Sequence, residues 1–337
     1  MDFTLDETQR DIAGLAADIV RREAGPPGEG GCDEQLWRAL GKAGLLSLAL
    51  PPDLGGDGLG IAEVAVLLTE LGRAAAAVPA LSLAFGALPL DFLGTPDQRA
   101  ALLPDVATGD AVVTAAIHEP SAPLVTRPST RAVAQDGAWE LTGVKTAVPH
   151  LAAATRVLVP ASLSWGTGIF LVDPKAEGVT VAGDTMRLDG VAAGEVDLLR
   201  GEKPDEAIAT LHTYALAGAL AFGDGALAGA LALTTEHIGG REQFGRPLAT
   251  FQAVAQQIAD VYIASRTVHL ATLSSVWRLS AGLDPELDVA TYWFAEEAPK
   301  ALGICHHLHG GIGVDITYPL HRYYALVEEV SRLCTSN

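Results

Sequence analysis

The stretch Tyr214–Leu233 is built almost wholly of alanine, leucine and glycine, and it constrains the fold more than any other part of the chain. A run this long and apolar either crosses a bilayer or forms a core helix of a helical domain, because both settings bury a helix on every side. Asp224 decides between them. It lies mid-run between Gly223 and Gly225, and a charge at mid-span is rare in a membrane helix. The stretch is therefore read as a buried helix. With 337 residues, 49% of them hydrophobic and 19% charged, the chain can build the core that such a helix needs.

The charge balance excludes other classes. Forty-one acidic and 22 basic residues leave a formal net charge of −19. Nucleic acid requires clustered Lys and Arg, and an anionic membrane surface requires the same, so neither is an expected partner. Three scattered cysteines, Cys32, Cys305 and Cys334, do not make a disulfide framework and suggest a reducing cytoplasm. The segment 1–22 carries Asp2, Asp6, Glu7, Asp11 and Asp18 and no apolar core, so no signal peptide is expected.

Three zones follow. Residues 1–108 read as helical, with Thr4 and Glu7 at capping-box spacing before the periodic Ile12, Leu15, Ile19 and Val20. Further helices are predicted at 33–43, 61–75 and 96–107. The Gly/Pro cluster at 25–31 breaks the first helix, and the run 51–60 must be a shaped loop. Residues 109–203 alternate short β-rich runs with turns, at 111–117, 131–134, 139–144, 156–159, 168–172, 179–181 and 195–199, as in a small antiparallel sandwich or barrel. Residues 204–337 return to helical periodicity, with helices predicted at 205–238, 248–281, 286–308 and 319–332 packing as a bundle.

Two runs carry chemistry. Arg241-Glu242-Gln243-Phe244-Gly245-Arg246-Pro247 joins a helix end to a tight turn, and Gln252 follows at the next helix start. Arg241 suits a helix C-terminus, and its fork of donors also suits a pyrophosphate. From spacing alone, a capping arginine is the simpler account. The second run is His306-His307-Leu308-His309-Gly310-Gly311-Ile312-Gly313. Its glycines allow close backbone approach, and their N–H groups can cradle an anion, though a helix-breaking turn needs nothing more. Cys305, His306, His307 and His309 invite a metal. Neighbouring helix positions diverge by about 100°, however, and no carboxylate supports them, so no metal site is expected.

In this order and on this layout, the motifs resemble those of the flavin-dependent acyl-CoA dehydrogenase family. The carriers are Leu36-Trp37-Arg38-Ala39-Leu40, Gly44-Leu45-Leu46, Leu50-Pro51, Leu54-Gly55-Gly56-Asp57-Gly58-Leu59-Gly60, Leu102-Leu103-Pro104 with Gly109, the Arg241–Gln252 run, and His309–Val314 with Tyr318-Pro319. The resemblance implies an α+β multidomain fold: an N-terminal helical domain (1–108), a middle antiparallel β-domain (109–203) and a C-terminal four-helix bundle (204–337). It implies a flavin shared across a subunit interface and the α,β-dehydrogenation of acyl-CoA thioesters, in which a carboxylate removes the α-proton and the flavin takes the β-hydride.

The departures from the family pattern are one-sided. The Thr-Glu-Pro segment with its Gly-x-Gly-Ser loop is here Ile117-His118-Glu119-Pro120-Ser121-Ala122-Pro123-Leu124. The Lys-x-Trp-Ile-Thr/Ser-Asn strand is here Lys145-Thr146-Ala147-Val148-Pro149-His150. Counting on from Gly310 to one family location of the catalytic carboxylate reaches Cys334, and counting back from Arg241 to the other reaches Ala215. Neither can act as the base, and Glu328 and Glu329 are read as a solvated helix end. The sequence ends at Asn337, just past the Cys334 position, where the resemblance leads one to expect the carboxylate and a further helix. The segments that a subunit lends to its neighbour's flavin are retained: Arg241, Phe244, Gly245, Gln252, Gly310, Gly311 and Gly313, with His307 where the family has Gln. The resemblance therefore implies no catalytic residue in this chain and an FAD shared with a partner. It points to the small subunit of an actinobacterial α2β2 enzyme acting on steroid side-chain CoA thioesters, the acyl-CoA being bound by the homologous partner. Electron-transfer flavoprotein is a candidate further partner. A self-sufficient homo-oligomer with a relocated base and a flavin-free scaffold are the alternatives.

Overall fold

The computed structural model describes residues 3–26, 31–120, 122, 124–135, 137–199 and 206–335. Ser121, Pro123, part of the 25–31 cluster and the 203/204 boundary lie outside the described residues. In chain order the helices are α1 (Glu7–Glu23), α2 (Glu34–Lys42), α3 (Ile61–Arg73), α4 (Leu88–Leu93) and α5 (Pro96–Thr108). Next come β1 (Val113–Ala115), β2 (Arg131–Gln135), β3 (Ala138–Lys145), β4 (Arg156–Leu163), β5 (Gly166–Val172), β6 (Val179–Ala182) and β7 (Thr185–Ala193). Helix α6 (Ala207–Gly240), the short hairpin β8 (Glu242–Gln243) and β9 (Arg246–Pro247), α7 (Gln252–Ser280), α8 (Leu287–His309) and α9 (Leu320–Cys334) complete the order.

The chain packs as two compact units. One holds the described residues of Met1–Val20, Ala65–Ala76 and Ala219–Thr335, and the other those of Arg21–Val64 and Ala77–Gly218. In the first, α8 packs against α7 and α9, and the ring of Phe294 with Val330 fills the space beside Gly223 of α6. Helices α3 and α6 cross at backbone contact. A methyl group at Gly72 would run into the Phe222 carbonyl, and one at Gly225 into that of Thr69. Thr69 Oγ1 donates to the Ala221 carbonyl at 3.2 Å across the same crossing.

Among the described residues, α6 is the one helix long and apolar enough to cross a membrane, but 78% of its most apolar window is buried inside the protein. Asp224 meets a partner there, because His269 Nδ1 on α7 lies 2.7 Å from its carboxylate. The expected core helix with an internal charge is thus what forms.

In the second unit, Asp33 caps α2, its carboxylate accepting from Leu36 N–H at 3.0 Å. Thr95 and Gln98 form a capping box at α5, and Gly109 ends that helix with φ 84°. The sheet runs in the order β1-β4-β2-β3-β7-β6, with β5 paired along β4. Its core includes Leu141, Val157, Val159, Phe170, Met186 and Leu188.

Four local expectations need correcting. The sheet is mixed, since β4 pairs in parallel with β1 and β2 and the other pairs are antiparallel. The run 195–199 is a turn of 3-10 helix over Glu195–Asp197, pinned by Gly194 N–H donating to Asp197 at 2.7 Å. The capping box of α1 is formed by Asp6 and Gln9, two residues beyond the expected pair: Gln9 N–H donates to Asp6 at 2.8 Å and Asp6 N–H to Gln9 at 3.3 Å. Helix α7 starts at Gln252, because a 3-10 turn over Leu248–Thr250 follows Pro247.

Candidate functional site

The segment after α6 is a two-residue hairpin in which Gln243 faces Arg246. Its tip residues are Phe244 (φ 54°) and Gly245 (φ 77°), both left-handed, as a type I′ turn requires. Glycine and asparagine suit such positions, whereas phenylalanine there costs about 1–2 kcal/mol. The side chain recovers little from its own fold, being 93% exposed with only an edge contact to Phe251 at 6.3 Å. Arg246 lies over the Phe251 ring, 4.1 Å from its centroid. Arg241 is anchored through its backbone, donating to the His237 carbonyl at 2.8 Å and accepting from Leu248 N–H at 2.8 Å. Its guanidinium is exposed and has no ion pair among the described residues, as is Gln252 at the first turn of α7.

The glycine run caps α8. Gly310 (φ 61°) donates to the carbonyls of His306 and His307, and Gly310 and Gly311 face open space. Gly313 is buried against His309. His307 is exposed in the last turn of α8. The other ring side chains of the run go elsewhere. His306 meets Tyr324 edge-on, and His309 stacks on His237 with centroids 4.5 Å apart. Burial pushes the Cys305 thiol up. Among the described residues, no group of three or more such side chains is placed to hold a metal ion. The stack brings the roots of the two motifs together, at the C-terminal ends of α6 and α8.

The β-domain segments that depart from the family pattern form a buried polar cluster. Lys145 Nζ lies 2.8 Å from Glu119, with both side chains almost wholly buried. Glu119 also accepts from Ser129 N–H at 2.6 Å and Thr130 N–H at 3.0 Å. Burial works to raise the Glu119 pKa, but its bonds to Lys145 and Thr130 outweigh that and hold it at about 2. His118 is buried beside this pair, its carbonyl accepting from Thr146 N–H at 3.1 Å. His212 of α6 is buried too, and burial, with the nearby His118 and Lys145, depresses its pKa to about 4. His150 accepts from Leu81 N–H at 3.3 Å, and burial alone depresses its pKa to about 4.

The two positions expected for a base offer none. Ala215 is fully buried in α6. Cys334 ends α9, and burial pushes its thiol up to about 12. Glu328 and Glu329 lie half-buried on α9.

Three contributors escape a motif reading. His237 is one helical turn before Arg241, a spacing that could have drawn notice. Arg246 was visible only as a turn residue, and nothing near His212 in sequence marks its burial with Lys145. A cavity of about 640 Å³, lined by Asp224, His269, Arg73 and Arg266 among others, contains none of the motif residues.

The N-terminal acyl-CoA dehydrogenase family model matches residues 6–110, and the C-terminal one matches 215–328. Acyl-CoA dehydrogenase FadE28 of Mycobacterium tuberculosis is 40% identical, covering 99% of this chain and 95% of its own. The crystal structure of the ChsE4-ChsE5 complex from Mycobacterium tuberculosis matches with TM-score 0.90 and 32% identity, over 99% of this chain and 95% of that one. A Tcur3481-Tcur3483 steroid ACAD variant matches with TM-score 0.89 and 36% identity, over 97% and 94%. With both conserved domains and nearly full-length relatives in agreement, this chain belongs to the acyl-CoA dehydrogenase family.

Proposed function

We propose that the chain is the non-catalytic subunit of a heteromeric acyl-CoA dehydrogenase, and that it completes the FAD site of a homologous partner carrying the base. One observation carries this reading: the segments proposed to face the cofactor are largely exposed, whereas the proposed ring-side and base positions hold groups that cannot serve.

The residues present fit FAD at the first place. Arg241 offers a free guanidinium to a pyrophosphate. Phe244 presents an exposed ring at a hairpin tip. Gln252, His307 and the open backbone at Gly311 offer hydrogen bonds, while Gly310 spends its N–H on capping α8 and Gly313 packs against His309 beneath the loop. At the second place the fit fails. The strip that would face a flavin ring is Ala147 and a buried Glu119–Lys145 pair with His118, and the base positions are Ala215 and Cys334. Bound FAD supplies the hydride acceptor for α,β-dehydrogenation. This chain's residues hold and orient it, and the α-proton passes to a carboxylate of the partner.

This chain offers exposed apolar side chains for a helical partner to cover. Ile263, Leu270 and Trp277 recur every seven residues along α7, at 60%, 47% and 37% exposure, and Val289, Tyr292 and Trp293 extend the exposed apolar face on α8. The heteromeric assembly named for ChsE4-ChsE5 supports such a pairing, and the steroid activity named for Tcur3481-Tcur3483 supports a bulky steroid acyl-CoA substrate. Arg241→Ala tests the reading. Losing a charge-assisted phosphate contact should weaken FAD retention in the complex roughly ten- to a hundredfold, read as flavin absorbance after gel filtration. Unchanged retention would refute the role of Arg241.

A further inference from the structure

The two segments proposed to face the cofactor are joined from beneath by a pair of imidazoles. His237, in the last turn of α6, stacks on His309, the final residue of α8, with centroids 4.5 Å apart and planes 19° apart. His309 is held at both nitrogens: Nδ1 lies 2.8 Å from the Cys305 carbonyl and Nε2 lies 3.1 Å from the Tyr318 hydroxyl. A carbonyl only accepts, so Nδ1 carries the proton, and in the neutral ring Nε2 accepts from Tyr318 O–H. On the other side, the His237 carbonyl accepts the Arg241 N–H at 2.8 Å. An unbroken chain of contacts therefore runs from Tyr318 through His309 and His237 to the arginine.

We propose that His237 and His309 are positioning residues that lock the Arg241 hairpin to the Gly310 loop, and that this lock makes the hold on FAD acid-sensitive. The proposal rests on the FAD-completing role proposed above. Two neutral rings stack well at this separation, whereas two imidazolium rings repel.

The surroundings oppose protonation on balance, although the bond from His309 Nδ1 to the Cys305 carbonyl favours it. Arg241 follows His237 on its own segment, and His306 faces His309 from the preceding turn. Glu236 lies toward Tyr318, whose carbonyl is bonded by His321 Nδ1 at 2.7 Å, and Tyr324 covers His306. Burial, then Arg241, pushes His237 below the usual histidine range, and burial is also the first cause for His309. For histidines depressed in this way, the lock is complete above the ordinary pKa and fails as pH falls below it toward the depressed value.

His237→Phe keeps a stacking ring that cannot be charged, and His237→Gln removes the stack without adding charge. In the free chain, NMR titration of the ring protons should show both histidines titrating below the ordinary value, with His309 moving up in His237→Phe. Amide exchange across 242–248 should quicken in His237→Gln at every pH. In the complex, wild type should lose about fivefold of its retained FAD between about pH 7.5 and about pH 5.5, and His237→Phe should keep it. Ordinary titration of both rings, or equal acid loss in wild type and His237→Phe, overturns the proposal. A complex without flavin at either pH, while the free chain shows the coupling, overturns the FAD-completing role instead.

Discussion

At the tip of the β8–β9 hairpin, Phe244 occupies a backbone conformation that disfavours it and touches little of its own chain. Such a residue points to a contact outside the chain. Phe244→Asn suits the turn better, so it should stabilise the hairpin by up to about 1 kcal/mol. If the ring packs on the cofactor, the same change should lower FAD retention in the complex. Thermal unfolding of the chain and flavin content of the complex separate the two effects, and a variant both more stable and fully flavinated would contradict the assigned role. The runs holding Phe244, Arg241 and the glycines stood out in sequence through the family resemblance, since spacing alone left Arg241 a capping residue, and their proposed cofactor contact is what the Phe244→Asn and Arg241→Ala variants test. The His237–His309 stack did not stand out, because it joins residues far apart in the chain through the packing of α6 against α8.

Among the elements, the long helices were the most legible. Their apolar periodicity extends over many turns, and α6, α8 and α9 start and stop within about two residues of expectation. The strands were harder. β7 was not among the predicted strands, and its Asp189-Gly190, a dipeptide common in turns, is here a bulge: Gly190 has φ 67°, and two residues oppose Thr142 where the register shifts between Leu141 and Gly143. β3, next to it, carries Lys145, and a buried ion pair between β3 and the 119 segment could not be read from spacing. Removing one partner of such a pair leaves the other buried and unpaired. Lys145→Met should therefore cost about 3–5 kcal/mol at neutral pH, read by urea unfolding. Glu119 is depressed to about 2 from an ordinary value of 4.5, so the pair's contribution is full above 4.5 and fades as pH falls toward 2. The gap between wild type and Lys145→Met should narrow over that interval. A small gap independent of pH would mean that the pair contributes little.

At the scale of the whole molecule, the proposed function divides the labour between two homologous subunits. The fold is that of an acyl-CoA dehydrogenase; on the proposed reading Arg241 and the Gly310 run serve a neighbour's flavin, and Ala215 and Cys334, both buried, stand where a base is expected. Against a net charge of −19, an exposed Arg241 with no ion pair among the described residues suits the polyanionic cofactor proposed for it. The most direct test measures FAD stoichiometry and acyl-CoA turnover for three samples: this chain alone, the homologous partner alone and the two together. This chain alone should give no turnover, and full flavin with turnover should appear only when the two are combined. Stoichiometric FAD with turnover from this chain by itself would contradict it.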